Sequence, residues 1–208
     1  MIEVIGPWNR MHHQETLDAM FRLRHQVFVE EMGWELPLAR DGREVDQFDS
    51  ARTVYLVCLD DAGEILGSMR LIPTTDPHVL GEIFPELCTG PVPRGARIYE
   101  SSRSCISRAA RRRDPHGTIW GSLTCAMIEF AMLRDLDFIT AVMESRMVTM
   151  AQAADWHLNV LGPEIQLAGG GVVAVTMPID GHALETVRRQ RRVPESVLSF
   201  RFAAAQAA

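Results

Sequence analysis

The most constraining feature of the chain is an arginine where a helical pattern asks for an apolar residue. From Gln14 to about Val29, Leu17, Met20, Phe21 and Phe28 recur at helical spacing. Arg24 lies seven residues after Leu17, three after Phe21 and four before Phe28, in the middle of that face. A long cation there either snorkels to solvent or meets a carboxylate, because an unpaired buried charge is costly. Arg22 and His25 fall off the face and read as solvated. A fold that shelters Arg24 has to bring acids to it from another element.

The chain offers such acids soon after. The segment Asp41 to Asp49 contains Glu44, Asp46 and Asp49, and extended geometry would send Glu44 and Asp46 to one side with Val45 opposite. Acidic runs are commonly solvated loops, but Val45 and Phe48 between these acids imply a segment partly tucked in. Arg70 repeats the problem on a strand: Met69 and Leu71 share one face, and Arg70 shares the other with Ser68. If that second face is covered, Arg70 also needs a carboxylate. Glu100 and Arg103 stand three apart on the next strand and so face opposite sides. They converge only if a β-bulge adds a residue between them, and otherwise form a surface ion pair.

These residues sit in a mixed α/β pattern. Strands are expected at Ile2–Ile5, Thr53–Leu59, Ile65–Ile72, Arg97–Ile106, Phe138–Met143 and Val172–Met177, with a hairpin turn at Asp60–Gly63. Helices are expected at Thr118–Arg134, Arg146–Trp156 and His182–Gln190, after the first at Gln14. Gly33–Gly42 and the Pro- and Gly-rich stretch Pro73–Arg97 read as irregular, and Ala203–Ala208 as a frayed tail. Hairpins early and strand–helix alternation late give one domain over residues 1–208, a mixed central sheet flanked by helices.

Composition narrows the function classes. The net charge of −6 argues against a general nucleic-acid binder. No apolar run approaches the ~20 residues of a membrane span. The first residues lack the basic and apolar regions of a secretory signal, so a cytoplasmic protein is expected. Cys58, Cys88, Cys105 and Cys125 are too widely spaced for a C-x-x-C motif and read as buried, reduced thiols. No metal-ligand spacing, nucleophile elbow, P-loop or dinucleotide fingerprint is present. Arg111, Arg112 and Arg113 precede the helix at Thr118, where arginines and free backbone N–H groups make an anion site or simply a solvated basic loop. A phosphopantetheine phosphate or an acidic carrier protein would suit the former.

Taken together, Phe21-Arg-Leu-Arg24-His-Gln-Val-Phe28, Trp34, Glu44-Val-Asp46-Gln-Phe-Asp49, Met69-Arg70-Leu71 and Glu100-Ser-Ser-Arg103 strongly resemble the acyl-homoserine lactone synthases of bacterial quorum sensing. The resemblance implies an N-acetyltransferase-like fold with a V-shaped cleft. It also implies a two-step reaction, in which the amine of S-adenosylmethionine attacks an acyl thioester and the methionyl carboxylate then closes a lactone, releasing methylthioadenosine. S-adenosylmethionine is then a substrate, with acyl-CoA or acyl carrier protein as the donor, and no cofactor, metal, nucleic acid or membrane is called for. Under that resemblance Glu100 and Glu44 are candidate bases. Arg24 and Arg103 orient the substrate carboxylate, Asp46 and Asp49 fix the arginines and hold the substrate's cations, and Arg70 braces the acidic segment. Phe28 and Trp34 form the adenosylmethionine pocket. Met127, Thr140 and Met143 line the acyl pocket, and Arg111–Arg113 dock the thioester carrier. The rival readings are an N-acyltransferase with another amine acceptor and a non-catalytic binding module.

Overall fold

A computed structural model describes residues 1–153, 155–167 and 169–200. The tail expectation at Ala203–Ala208 lies outside the described residues. The chain opens with β1 (Ile2–Ile5), whose four residues are all buried. Helix α1 (Gln14–Arg24) follows and widens into a π-helical turn over His25–Glu31. Then come β2 (Val54–Leu59) and β3 (Ile65–Pro73), an antiparallel hairpin closed by Asp60, whose Oδ1 accepts from the N–H groups of Ala62 and Glu64. The segment expected to be wholly irregular contains a short helix, α2 (Val79–Glu82), for a reason that belongs to the site.

The second half alternates as expected: β4 (Ile98–Ile106), α3 (Arg108–Arg113), α4 (Thr118–Leu133), β5 (Phe138–Glu144) and α5 (Ser145–Ala153). It ends with β6 (Asn159–Val160), β7 (Ile165–Leu167), β8 (Gly170–Pro178), α6 (Gly181–Arg191) and β9 (Leu198–Ser199). Three short strands, β6, β7 and β9, carry too few residues to show a period. The basic stretch at Arg108 is itself helical: Ser107 Oγ accepts from Ala110 N at 3.1 Å, capping a helix that alanines favour.

Among the described residues the strands form one mixed sheet in the order β6-β8-β5-β4-β3-β2-β1-β9, with β7 also on β8. Alternation sorts its faces. On one, Ile2, Val4, Leu56, Met69, Leu71, Ile139 and Val175 meet α4 and α6. Burial of a side chain such as Leu123 or Phe130 in this layer contributes roughly 1.5–3 kcal/mol. On the other face Ile5, Tyr55 and Val57 meet Leu17 and Met20 of α1, and α2 covers Ala174. The four cysteines are free, three of them buried. No helix among the described residues is long and apolar enough to cross a membrane.

One break in the sheet makes the cleft. Strands β4 and β5 pair in parallel only from Ile98↔Phe138 to Ser101↔Ala141. Beyond that point Ser102–Ile106 stay with β3, while Val142–Glu144 stay with β8. The two central strands therefore splay into a V at their C-terminal ends. Ligands in α/β sheets favour such places, where neighbouring strands part.

Candidate active site

The acids that Arg24 requires arrive on the turn between the first helix and β2. Backbone bonds set that turn: Glu44 N donates to Phe21 O at 3.0 Å, and Asp46 N donates to Asp49 Oδ2 at 2.8 Å. Phe48 tucks in and Val45 stays exposed, so only one of the two apolar residues anchors the segment. Arg24 Nε then donates to Glu44 Oε2 at 2.6 Å, and its two terminal nitrogens fork onto Asp49 at 2.8 and 3.0 Å. Arg70 Nη1 reaches Asp46 at 2.5 Å and Asp49 at 3.1 Å. Arg103 Nε donates to Glu44 Oε1 at 3.1 Å, and its Nη2 lies 2.9 Å from Asp46 Oδ2.

These contacts close a ring, Arg24–Glu44–Arg103–Asp46–Arg70–Asp49–Arg24, in which every ion touches two of opposite sign. Three guanidinium groups against three carboxylates leave it formally neutral, which is how six charges are tolerated at such depth. Burial pushes the Asp49 carboxyl up, but Arg24 and Arg70 beside it outweigh burial and hold it well below the usual range. Burial likewise works against the Arg24 cation, and Asp49 and Glu44 override it. Tyr55, the cross-strand partner of Arg70, donates its hydroxyl to Asp49 Oδ1 at 2.9 Å. Burial, then the neighbouring Asp49, raises its pKa.

The bulge on β4 lies at Arg103 itself. Ser68 pairs with Cys105 and Arg70 with Ser102, so Arg103 and Ser104 together oppose Met69, and Arg103 takes a left-handed φ of 49°. This turns Arg103 to the side of Arg70 and Ser102, whose Oγ accepts from Arg70 Nε at 3.0 Å. Glu100, two residues before Ser102, shares that side, as a bulged strand requires, but its carboxylate does not pair with Arg103. Its oxygens instead accept from Val79 N at 2.8 Å and Leu80 N at 2.6 Å. The start of α2 is a helix N-terminus seated on a buried carboxylate, which explains a helix inside a Pro-rich stretch. Burial raises the pKa of Glu100 against those two N–H groups.

Phe28 and Trp34 stack with ring centroids 4.9 Å apart, brought together by the π-helical turn and by a bond from Trp34 N to Phe28 O. The Arg103 guanidinium lies 5.6 Å from the Phe28 centroid and 5.8 Å from that of Trp34. The three residues assigned to an acyl wall do not line one surface. Met127 and Met143 belong to the layer under α4, whereas Thr140, three residues before Met143, faces the opposite side as the register partner of Glu100.

At the start of α4, where an anion site and a solvated basic loop were both open, two of the helix's first N–H groups are already taken. Asp114 accepts from Thr118 N at 2.8 Å and from Ile119 N at 2.7 Å, so the chain's own carboxylate caps the helix. Arg111 is tied to Glu31, while Arg112 and Arg113 are exposed on α3. Sequence reasoning passed over Tyr55, Ser102 and Asp114. Tyr55 was findable from the hairpin register, Ser102 from its spacing to Glu100, and Asp114 from its place four residues before Thr118. Among the described residues, no group of three or more His, Cys, Asp and Glu side chains comes together to hold a metal.

The autoinducer synthase family profile matches residues 8–187. The chain is 33% identical over 198 residues to the isovaleryl-homoserine lactone synthase of Bradyrhizobium diazoefficiens, covering 95% of this chain and 88% of that protein. Among solved structures it is similar to BjaI, a CoA-dependent acyl-homoserine lactone synthase held with S-adenosylmethionine and isopentyl-CoA. The TM-score is 0.88 at 31% identity, over 98% of this chain and 94% of that one. An acyl-CoA N-acyltransferase of Pseudomonas aeruginosa shares the fold alone, with a TM-score of 0.60 at 16% identity over 85% and 98% of the two chains.

Proposed function

Because the chain belongs to the autoinducer synthase family, we propose that its charged ring and cleft make an acyl-homoserine lactone from S-adenosylmethionine and an acyl-CoA. The amine nitrogen bonds to the thioester carbonyl carbon, the thiol leaves, and an amide forms. A carboxylate oxygen of the substrate then bonds to its γ-carbon, and methylthioadenosine leaves with the electron pair of the broken carbon–sulfur bond. The observation that carries this reading is the closed ring of three arginines and three carboxylates beside the splay of β4 and β5. A non-catalytic module has no reason to keep a ring of six ions, four of them with side chains only 1% exposed, that roughly break even energetically.

Glu100 takes the proton that the amine must lose. Its raised pKa suits a base that works near neutral pH, since Brønsted behaviour favours a pKa close to the operating pH. Glu44 is held by two arginines and serves as an orienting anion. The backbone N–H groups at the Arg103 bulge face developing charge on the thioester oxygen. Phe28 and Trp34 take the sulfonium, whose charge an aromatic face attracts. The second step needs alignment more than a nucleophile, because a sulfonium is already a good leaving group.

A CoA donor with a branched acyl group is favoured by the likeness to the isovaleryl synthase and to BjaI. The exposed Arg112 and Arg113 suit its phosphates, and an acidic carrier protein is the alternative. The span of the family match supports a single domain, and both substrates are cytoplasmic metabolites, which supports a cytoplasmic enzyme. Mass spectrometry of lactones from cells expressing the chain tests the reading. A branched-chain acyl-homoserine lactone is expected; amides without lactone would favour another amine acceptor and overturn it.

A further inference from the structure

Of the three ring arginines, Arg103 differs in one respect. The side chains of Arg24 and Arg70 are each 1% exposed, whereas that of Arg103 is 13% exposed and lies at the mouth, against Phe28 and Trp34. Its two acceptors do not depend on it: Glu44 keeps Arg24 and Asp46 keeps Arg70 if Arg103 leaves. Departure of Arg103 would leave two cations against three anions, a net charge of −1 beside two aromatic rings.

We propose that Arg103 is a substrate-positioning and selectivity residue that holds the sulfonium's place on Phe28 and Trp34 in the free enzyme. The substrate's own carboxylate then draws it off. This rests on the reading of Phe28 and Trp34 as the adenosylmethionine pocket. A guanidinium and a sulfonium repel when both crowd one aromatic pair, so the incoming cation does not simply join Arg103 there. S-adenosylmethionine carries a sulfonium, an ammonium and a carboxylate. The two cations suit the uncovered ring of charge −1, and the carboxylate offers Arg103 a bidentate partner in place of the two single contacts, to Glu44 and Asp46, that it gives up. A sulfonium ligand without a carboxylate must displace Arg103 and gives it nothing in return. The pocket thereby selects for the group that the lactonisation step consumes.

The test compares S-adenosylmethionine with its decarboxylated analogue by calorimetric titration into the wild type and into Arg103→Asn. Asparagine is chosen because it tolerates the left-handed backbone at this position, and Arg103→Gly is the second variant should the first fail to fold. The expected result is a reversal of sign. Arg103→Asn binds S-adenosylmethionine at least about tenfold more weakly and the decarboxylated analogue several-fold more tightly than the wild type does. If both ligands weaken together, or if neither changes, Arg103 is no placeholder and the proposal falls while the lactone synthase reading stands. If the wild type binds neither ligand, the pocket assignment itself fails, and with it both readings.

Discussion

The chain has two clusters of arginines that look alike as text and do opposite things in the fold. Arg24, Arg70 and Arg103 come from three separate elements, and each is held by two carboxylates, the first two arginines fully buried and the third mostly so. Arg111, Arg112 and Arg113 sit side by side on one short helix, exposed, next to a helix start that Asp114 has already capped. The dispersed arginines build the site, and the contiguous run stays at its edge. Burial, rather than local density of charge, decides which cations shape chemistry. A buried ion constrains the positions of its partners, while an exposed one is screened and free to turn.

Substitutions can break or sharpen this contrast. The largest effect is expected at Arg24→Ala, which leaves Glu44 and Asp49 buried without their shared cation. Loss of one partner from such a pair costs about 3–5 kcal/mol, read as a lower urea midpoint, and methylthioadenosine release should cease. Glu100→Gln should lower kcat by roughly 10²–10⁴-fold, the usual range for a lost general base. In the wild type the acid limb of kcat/KM should lie above the ordinary glutamate value of 4.5, because burial raises this carboxyl, and the limb should vanish in the variant.

A third substitution tests the ring through pH. Asp49 is held below the ordinary aspartate value of 3.8, so its contribution to stability is complete above that value. It is lost as pH falls through the folded-state value. The unfolding midpoint should therefore drop as the solution is acidified below pH 3.8, and Asp49→Asn should flatten that part of the curve. The outer cluster should respond less. Asp114→Ala removes a helix cap and should cost about 1 kcal/mol. Arg112→Ala with Arg113→Ala should leave stability within about 0.5 kcal/mol. It should raise the KM for acyl-CoA without changing that for S-adenosylmethionine.

Much of the site was legible in the sequence because buried charge violates a periodic pattern. Arg24 interrupts an apolar helix face and Arg70 sits on the covered side of a strand, and both demanded the acids that the structure supplies. The pairing of those ions was not legible, because it depends on a turn set by the bonds of Glu44 and Asp46 to distant backbone and side-chain atoms. Glu100 was found but its neighbours were not. A four-residue helix leaves no periodicity, and only the fold shows that a buried carboxylate holds its start. At the basic run the sequence left an anion site and a solvated loop both open, and it did not show that Asp114 takes the N–H groups of Thr118 and Ile119. The three residues read as an acyl wall are spread by parity: Thr140 and Met143 stand three apart on one strand and face opposite sides.

The most direct test sets the two clusters side by side under one readout, the initial rate of methylthioadenosine release at saturating S-adenosylmethionine and acyl-CoA. Arg24→Lys and Arg112→Lys both keep their positive charge. The first loses the planar fork that spans Glu44 and Asp49, and a misplacement of the order of 1 Å at such a site can cost roughly 10²-fold in rate. Release should fall by about that factor in Arg24→Lys and stay within about twofold of the wild type in Arg112→Lys. Equal rates in the two variants would contradict the claim that the buried ring carries the chemistry.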